Sequence, residues 1–213
     1  MLEVQFMTML WLIGIVAEAM TGALAAGRKQ MDLFGVVIIG CATAIGGGTL
    51  RDMLLGNYPL IWVENFHYLL AIAFASLLTV VIAPVMRYLS TIFLAIDALG
   101  LAVFSIVGAQ KTLLLGFSPV VAVIMGLVTG VFGGVLKDIL CNQVPLIFKK
   151  ELYAIISLAT AGLYIGLKSM MVSEWINLSL CLSFGFFFRM LALKYHWSMP
   201  TFNYQAGTDQ HLH

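Results

Sequence analysis

Two short motifs of this chain place glycines and a basic–acidic pair inside strongly apolar surroundings. The first motif is Gly46-Gly47-Gly48 followed by Arg51-Asp52, and the second is Gly133-Gly134 followed by Lys137-Asp138. Because glycine is a weak helix former, we expect an apolar helix to break at each motif. A break would release backbone carbonyl groups, and these could replace part of the hydration shell of a cation.

The glycines also have a structural interpretation. Small residues allow two helices in a membrane to approach closely, and Gly46 to Gly48 and Gly133-Gly134 could serve that purpose alone. Three consecutive glycines followed by a charge exceed what packing requires, so the sequence favours a break.

Charged residues inside apolar segments need a partner or water. Glu18 and Asp97 lie within the first and fourth apolar segments, and burial of such charges in hydrocarbon is costly. Adjacent residues point about 100° apart on a helix, so we expect Arg51 to pair with a residue other than Asp52. Asp97 and Glu18 are the candidate partners of Arg51 and Lys137. A structural ionic network that locks the halves together is the alternative.

Small hydroxyl residues accompany the glycine motifs. Thr43, Thr49, Thr129 and Ser105 could coordinate an ion or donate a hydrogen bond to their own helix backbone. The predicted ion pathway comprises Gly46, Gly47, Gly48, Thr49, Arg51, Gly133, Gly134, Lys137, Thr43, Thr129 and Ser105. The predicted buried charge partners are Glu18, Asp52, Asp97 and Asp138.

The elements that must position these residues are membrane helices. Of 213 residues, 62% are hydrophobic and 10% are charged, and apolar runs of about 20 residues recur along the chain. Isolated strands would leave backbone groups unpaired in lipid, so every run is predicted to be a helix. The seven predicted spans are Met7 to Ala26, Leu33 to Leu55, Tyr68 to Met86, Thr91 to Ala109, Pro119 to Leu140, Leu152 to Leu167 and Ile176 to Leu193.

The chain contains an internal repeat. At an offset of 86 residues, Gly47 to Leu54 aligns with Gly133 to Leu140, and Gly40 and Thr43 align with Gly126 and Thr129. Upstream, Glu18-Ala19 aligns with Asp97-Ala98 at an offset of 79, which predicts a longer loop in the second copy. Three helices per copy imply inverted copies, with the functional site near the midplane. We therefore predict one transmembrane domain, 1–213, with repeats at 7–86 and 91–167, a seventh helix at 176–194 and a tail at 197–213.

Basic residues predict the orientation. An external N-terminus places seven basic residues inside, namely Arg28, Lys29, Arg87, Lys149, Lys150, Arg189 and Lys194, and two outside, Lys111 and Lys168. The tail with His211 and His213 would then be cytoplasmic. No basic residue precedes Arg28, so we do not expect cleavage of the first segment as a signal peptide.

Several function classes are not expected. The net charge is +1 and the basic residues are scattered, so nothing suggests nucleic-acid binding. Cys41, Cys141 and Cys181 are widely spaced in apolar segments, which is typical of core residues and not of a metal site. No Ser, His and Asp set lies at recognisable spacing, so we expect neither an enzyme nor a cofactor.

The motifs resemble a known family. Over about residues 8 to 200, the chain is similar to the bacterial inner-membrane proteins of the YicG type. Those proteins are prokaryotic relatives of the trimeric intracellular cation (TRIC) channels. The resemblance rests on Glu18-Ala-Met-Thr-Gly-Ala-Leu-Ala-Ala-Gly-Arg, Met31-Asp-Leu-Phe-Gly, Gly46-Gly-Gly-Thr-Leu-Arg-Asp, Asp97-Ala-Leu-Gly, Gly133-Gly-Val-Leu-Lys-Asp and Val144-Pro-Leu-Ile-Phe-Lys-Lys-Glu-Leu-Tyr.

The resemblance implies a function. It implies seven transmembrane helices in the bacterial inner membrane, a homotrimer with one pore per protomer, and passive permeation of potassium and sodium past the second and fifth helices. Some bacterial members are described as glycine transporters. The residues allow that alternative, since Arg51 suits a carboxylate and backbone carbonyls suit an ammonium group.

Overall fold

The computed structural model describes residues 2–86, 90–148 and 152–197, and within them the chain forms seven long helices and no strand. The helices are α1 (Leu2–Arg28), α2 (Leu33–Leu54), α3 (His67–Met86), α4 (Ser90–Leu114), α5 (Pro119–Leu140), α6 (Tyr153–Ser169) and α7 (Glu174–Lys194). A single helical turn (Ile61–Glu64) and a 3-10 turn (Leu146–Phe148) lie in the connections that follow α2 and α5. The predicted all-helical class is confirmed.

The helices have the length and composition of membrane spans. Six of them contain apolar stretches of at least 18 residues, and α6, with 17 residues, is about 25 Å long against a hydrocarbon thickness of about 30 Å. Large apolar side chains such as Phe74, Val81 and Val120 point outwards. An apolar exterior is stable only in lipid, so the chain is a multi-pass membrane protein.

The two halves of the bundle have matching helix bounds. The helix α2 spans residues 33 to 54 and α5 spans residues 119 to 140, so both the first and the last residues differ by 86. The last residues of α1 and α4, Arg28 and Leu114, are also 86 residues apart. The turns that follow also match, because Gln30 and Gly116 both have positive φ.

This match corrects the alignment of the first helices. The connections 29–32 and 115–118 have equal length, so the predicted offset of 79 and the longer second loop are wrong. The pairing of Glu18-Ala19 with Asp97-Ala98 rested on two residues, too few to outweigh the geometry of a whole helix. At the offset of 86, Glu18 corresponds to Phe104.

Equivalent signals begin and end α2 and α5. Asp32 and Ser118 are the N-caps, and their side-chain oxygens accept hydrogen bonds from the amides of Gly35 and Val121. Such caps satisfy amide groups that the first turn leaves free. After each helix the chain turns through positive φ, at Gly56 and at Asn142, conformations that glycine and asparagine adopt most readily.

The helices α2 and α5 cross closely and run antiparallel. A Cβ atom at Gly47 would overlap the carbonyl oxygen of Thr129, and one at Gly133 would overlap the carbonyl oxygen of Thr43. Residues 43 and 47 thus face 133 and 129, so the contacts advance in opposite directions along the two helices. This reciprocal contact is the geometry of two inverted repeats, and its pseudo-two-fold axis passes between α2 and α5.

The expected break at the glycine motifs is contradicted by the structure. Residues 33–54 and 119–140 are each one continuous α-helix, so no carbonyl group is released at Gly46 to Gly48 or at Gly133-Gly134. A glycine costs only about 1 kcal/mol in a helix, which the packing of the two helices outweighs. The alternative use of these glycines, close helix packing, is the one that the structure adopts at Gly47 and Gly133.

The seventh helix completes the core beside the second repeat. Leu178 and Cys181 of α7 pack with Ile106 of α4 and Tyr164 of α6, and all four side chains are buried. Because α7 has no counterpart in the first repeat, it covers one side of the bundle only.

The close crossing yields a stability prediction. We expect Gly47→Ala and Gly133→Ala each to lower Tm by about 5 to 10 °C, because overpacking costs about 1 to 3 kcal/mol and each kcal/mol shifts Tm by about 2 to 4 °C at this size. Gly48→Ala and Gly134→Ala are matched controls, since their nearest neighbours lie 3.8 Å from the added Cβ atom. Thermal unfolding in detergent measures both pairs, and equal losses in the two pairs would contradict the packing role.

Candidate functional site

A cavity of about 500 Å³ lies between the two repeats. It begins at the end of the bundle where α1 starts and extends inwards to the crossing of α2 and α5. Its lining residues come from all seven long helices and from the turn after α2, and they are Thr8, Trp11, Glu18, Thr43, Ala44, Ile45, Gly47, Gly48, Arg51, Ile61, Tyr68, Phe104, Val107, Gln110, Lys111, Leu114, Thr129, Gly130, Gly133, Gly134, Lys168 and Glu174.

Glycines and hydroxyl groups form the inner part of this cavity. At Gly48 and Gly134 an added Cβ atom would meet nothing closer than 3.8 Å, so these two glycines leave space open. The hydroxyls of Thr43 and Thr129 donate hydrogen bonds of 2.6 Å to the carbonyls of Ile39 and Met125 in their own helices. Their hydrogens are therefore used, and lone pairs on the hydroxyl oxygens remain as acceptors.

The cavity mouth contains a buried ionic group. Arg51 and Asp52 are 4% and 1% exposed, and the guanidinium Nη2 of Arg51 lies 2.9 Å from the Asp52 carboxylate. Lys111 of α4 donates to the other oxygen of that carboxylate, also at 2.9 Å. One carboxylate thus serves two cations and joins the two repeats at this end.

The pairing of Arg51 with Asp52 corrects the sequence prediction. The two Cα–Cβ directions do diverge, but the long side chain of Arg51 bends back, and its Nε atom donates to Asp52 Oδ1 at 2.9 Å. In low dielectric, an adjacent carboxylate is a better partner than a distant one. The equivalent pair in the second repeat, Lys137 and Asp138, is looser, with 3.6 Å between nitrogen and oxygen.

A second polar group at the mouth depends on α7. Glu174 accepts hydrogen bonds from Tyr164 at 2.7 Å, Gln110 at 3.0 Å and Lys168 at 3.2 Å. Lys168 also lies 3.2 Å from the hydroxyl of Tyr164. This network links the ends of α4, α6 and α7 and neutralises the charge of Lys168.

Glu18 is the deepest acidic residue among those that line the cavity. It is 5% exposed, its Oε2 atom accepts a hydrogen bond of 3.3 Å from Thr21, and its Oε1 atom has no hydrogen-bond partner among the described residues. Asp97 and Lys137 act on it electrostatically. Among the described residues no ion pair within 4.0 Å joins Glu18 to a basic side chain, so its predicted pairing with Arg51 or Lys137 is not seen.

A much smaller cavity, of about 10 Å³, lies on the other side of Gly134, with room for about one water molecule. Four of its lining residues correspond, at the offset of 86, to residues that line the main cavity. They are Val131, Gly134, Lys137 and Ile147, which match Ile45, Gly48, Arg51 and Ile61 in that order. Asp97, Asp138 and Tyr153 also line it. The inverted copy of the open mouth is therefore closed in this structure.

The structure brings most of the predicted pathway together. Gly47, Gly48, Arg51, Gly133, Gly134, Thr43 and Thr129 line the main cavity, and Lys137, Asp97 and Asp138 line the small one. Three predicted residues have other contacts, because Gly46 packs against Leu136, Thr49 accepts a hydrogen bond from Trp62, and Ser105 bonds to Ser157.

Sequence reasoning missed much of the mouth. No motif or charge pattern in the sequence indicated a role in the cavity for three of its lining residues, Phe104, Gln110 and Glu174. Phe104 lies in an apolar run, and the other two lie near helix ends. Lys111 and Lys168 were assigned to the outer loops, although both line the cavity and form ion pairs. The signal that could have indicated a role is the proximity of acidic and basic residues at the ends of neighbouring helices.

The residues behind the predicted orientation have different environments. Arg189 is 2% exposed, with its guanidinium 4.7 Å from the ring centre of Tyr153, so it is no loop residue. Arg28, Lys29 and Lys194 are exposed. Arg87, Lys149, Lys150 and the tail with His211 and His213 lie outside the described residues.

The chain matches a protein family. The family model described as Glycine transporter matches residues 8–84 and again residues 94–169. The two matched segments begin 86 residues apart, the same offset as the helix bounds.

Relatives and a solved structure also match. A UPF0126 membrane protein of Vibrio cholerae is 35% identical over 94% of this chain and 84% of its own length. The UPF0126 inner membrane protein YadS of Escherichia coli K12 is 41% identical over 70% of this chain and 73% of its own length. The TRIC trimeric intracellular cation channel orthologue from Rhodobacter sphaeroides has a TM-score of 0.86 and 34% identity, covering 90% of this chain and 98% of that chain.

The ionic group at the mouth allows a direct test. Asp52→Asn leaves the buried Arg51 without its carboxylate, which costs about 3 to 5 kcal/mol, so we expect Tm to fall by about 10 °C. Lys111→Gln removes the partner whose side chain is 29% exposed, and we expect a loss of about 3 °C or less. Thermal unfolding of both variants measures the difference, and a larger loss in Lys111→Gln would contradict the central role of Asp52.

Proposed function

The chain belongs to the glycine transporter family, and from this premise we propose that it is a homotrimeric channel for monovalent cations, potassium and also sodium, with one pore in each protomer. The observation that carries the proposal is the cavity of about 500 Å³ that reaches the crossing of the two glycine motifs. The likeness of the whole chain to a TRIC cation channel supports it.

The pore we propose passes between Gly48 and Gly134. These glycines face open space where the repeats meet, and the hydroxyl oxygens of Thr43 and Thr129 offer acceptors at the same level. Hydroxyl oxygens can replace water around a cation. Since both glycine helices are continuous, coordination by side chains takes the place of the released carbonyls that the sequence suggested.

Ion pairing reduces the repulsion that a cation meets at the mouth. Unpaired basic side chains at an entrance would exclude cations, but Arg51 and Lys111 share the Asp52 carboxylate and Lys168 binds Glu174. In this conformation the proposed path narrows beyond Gly134 to the small cavity of about 10 Å³. Opening therefore requires Lys137, Asp138 and Tyr153 to move apart.

We place the protein in the bacterial inner membrane with its N-terminus outside and its C-terminus in the cytoplasm. The name of the Escherichia coli relative supports the membrane. The exposed residues Arg28, Lys29 and Lys194 lie at one end of the bundle, whereas Lys111 and Lys168 at the other end are held in ion pairs. An excess of free basic residues marks the cytoplasmic side.

A glycine transporter is the second candidate function, and two observations favour it. In the part of the chain that the structure describes, the main cavity reaches one end of the bundle and its counterpart at the other end is closed, as in one state of an alternating-access transporter. Two cations share the single Asp52 carboxylate, so one positive charge remains at the mouth for a substrate carboxylate.

Flux measurements in liposomes separate the two functions. We expect the purified protein to pass potassium down its gradient and to accumulate no labelled glycine, because the proposed path is a passive one. Protein-free liposomes and heat-denatured protein serve as controls. Saturable glycine uptake without potassium conductance would establish the second function and overturn the first.

The proposed path also yields a substitution test. Gly48→Leu projects a side chain into the open cavity, and we expect it to lower potassium flux by a factor of about 10 or more, since a narrowed pore raises the cost of dehydration. Gly27→Leu is the matched control, because Gly27 is exposed and has no neighbour within 4 Å of an added Cβ atom. Unchanged flux in folded Gly48→Leu protein would mean that ions pass elsewhere.

A further inference from the structure

We infer that Glu18 is the binding site for a partly dehydrated monovalent metal cation at the inner end of the main cavity. This inference deepens the proposed channel function and rests on it for its physiological role, but binding at Glu18 can be measured without flux. It commits to a metal cation and not to the ammonium group of an amino acid.

The carboxyl group of Glu18 is buried at the cavity and only partly hydrogen-bonded. Glu18 is 5% exposed and lines the cavity. Its Oε1 atom has no hydrogen-bond partner among the described residues. The ionised form of Glu18 would be costly at this position unless a positive charge offset it. Its single side-chain bond, from Thr21 at 3.3 Å, is long and reaches the other oxygen. A cation entering the cavity would supply the missing interaction.

Packing does not require an acidic side chain at residue 18. On α1, Glu18 lies between Gly14 and Gly22 at spacings of four residues, and on α4 the equivalent Phe104 lies between Gly100 and Gly108. Glu18 Oε1 approaches Gly100, where an added Cβ atom would be 2.7 Å away, and the ring of Phe104 approaches Gly14 at 3.2 Å. In the other repeat an aromatic side chain therefore packs against the equivalent glycine. Packing alone does not account for a carboxyl group at residue 18.

Thr43 offers a further oxygen ligand in the same cavity. Gly22 receives the hydroxyl of Thr43 against its Cα face, and it lies one helical turn from Glu18 on the same face of α1. Thr43 lines the same cavity as Glu18, and because its hydroxyl donates its hydrogen to Ile39, the lone pairs of that oxygen are available as acceptors. Carboxylate and hydroxyl oxygens with residual water form the ligand set that alkali cations accept.

Neighbouring charges set the strength of such a site. Asp97 and Lys137 are the charged groups that act on Glu18, and Asp97 adds negative charge whereas Lys137 opposes it. Lys137 pairs with Asp138 at 3.6 Å, which limits its effect on Glu18. A single carboxylate with one opposing and one reinforcing charge favours a monovalent ion over a divalent one.

Thermal unfolding of the purified full-length protein tests the site. Potassium chloride and sodium chloride are titrated against N-methyl-D-glucamine chloride at equal ionic strength, since a few oxygen ligands cannot surround that bulky organic cation as they surround a metal ion. We expect saturable stabilisation, with Tm rising by about 3 to 6 °C when potassium is about ten times its Kd. Glu18→Gln should remove this rise, and Glu64→Gln, which deletes the same charge at an exposed position, should retain it.

A second variant pair guards against loss of folding in Glu18→Gln. Gly100→Ala presses on Oε1 without a change in charge and should weaken potassium binding about tenfold or more, the loss expected when a group that orients a metal ligand is changed. Gly14→Ala, its equivalent in the other repeat, should change the potassium Kd less than about twofold. Equal effects of the two alanine variants would overturn the proposal.

The outcomes separate this site from the channel proposal. Potassium binding that depends on Glu18, in a protein that passes no potassium, supports the site and refutes the channel. Potassium flux with unchanged stabilisation in Glu18→Gln refutes the site and leaves the channel. The metal site is overturned if potassium gives no saturable rise in Tm in the wild-type protein. It is also overturned if glycine, in place of potassium, gives a saturable rise in Tm that depends on Glu18.

Discussion

The close crossing of α2 and α5 is the contact on which the other features depend. Gly47 faces the Thr129 carbonyl and Gly133 faces the Thr43 carbonyl, so one contact is made twice around a pseudo-two-fold axis. Only residues without a Cβ atom allow two helix backbones to approach this closely. The crossing directs Gly48 and Gly134 towards open space and places Arg51 and Lys137 on opposite sides of it.

The two repeats share a frame and differ in what the frame holds. In the first, Asp52 binds both Arg51 and Lys111, and in the second, Asp138 binds Lys137 and the amide of Leu146. The cavity volumes, about 500 Å³ and about 10 Å³, differ with them. The bounds of α2 and α5 are equivalent, so the two ends differ through their side chains and through α7, which has no counterpart in the first repeat.

Buried charge is managed by local pairing in most of the bundle. Arg51, Asp52 and Lys111 form one group and Lys168 and Glu174 another, so most of the cost of charges in lipid is offset by short ion pairs. Glu18 departs from this pattern, with one carboxylate oxygen unsatisfied among the described residues. The other charged side chains at this cavity are paired, and Glu18 is the residue at which we propose that a cation binds.

The sequence by itself determined the helices, their membrane setting and the repeat, because apolar length, caps and paired motifs are local properties that recur 86 residues apart. It also indicated that Gly48, Arg51, Gly134 and the two threonines belong to one site. Only the tertiary structure decided that Gly47 and Gly133 serve close packing and leave both helices intact, because the energy that opposes a break comes from the neighbouring helix. Likewise, the partners of Arg51 and Glu174 depend on side-chain conformation and on helices distant in sequence, which periodicity and spacing do not encode.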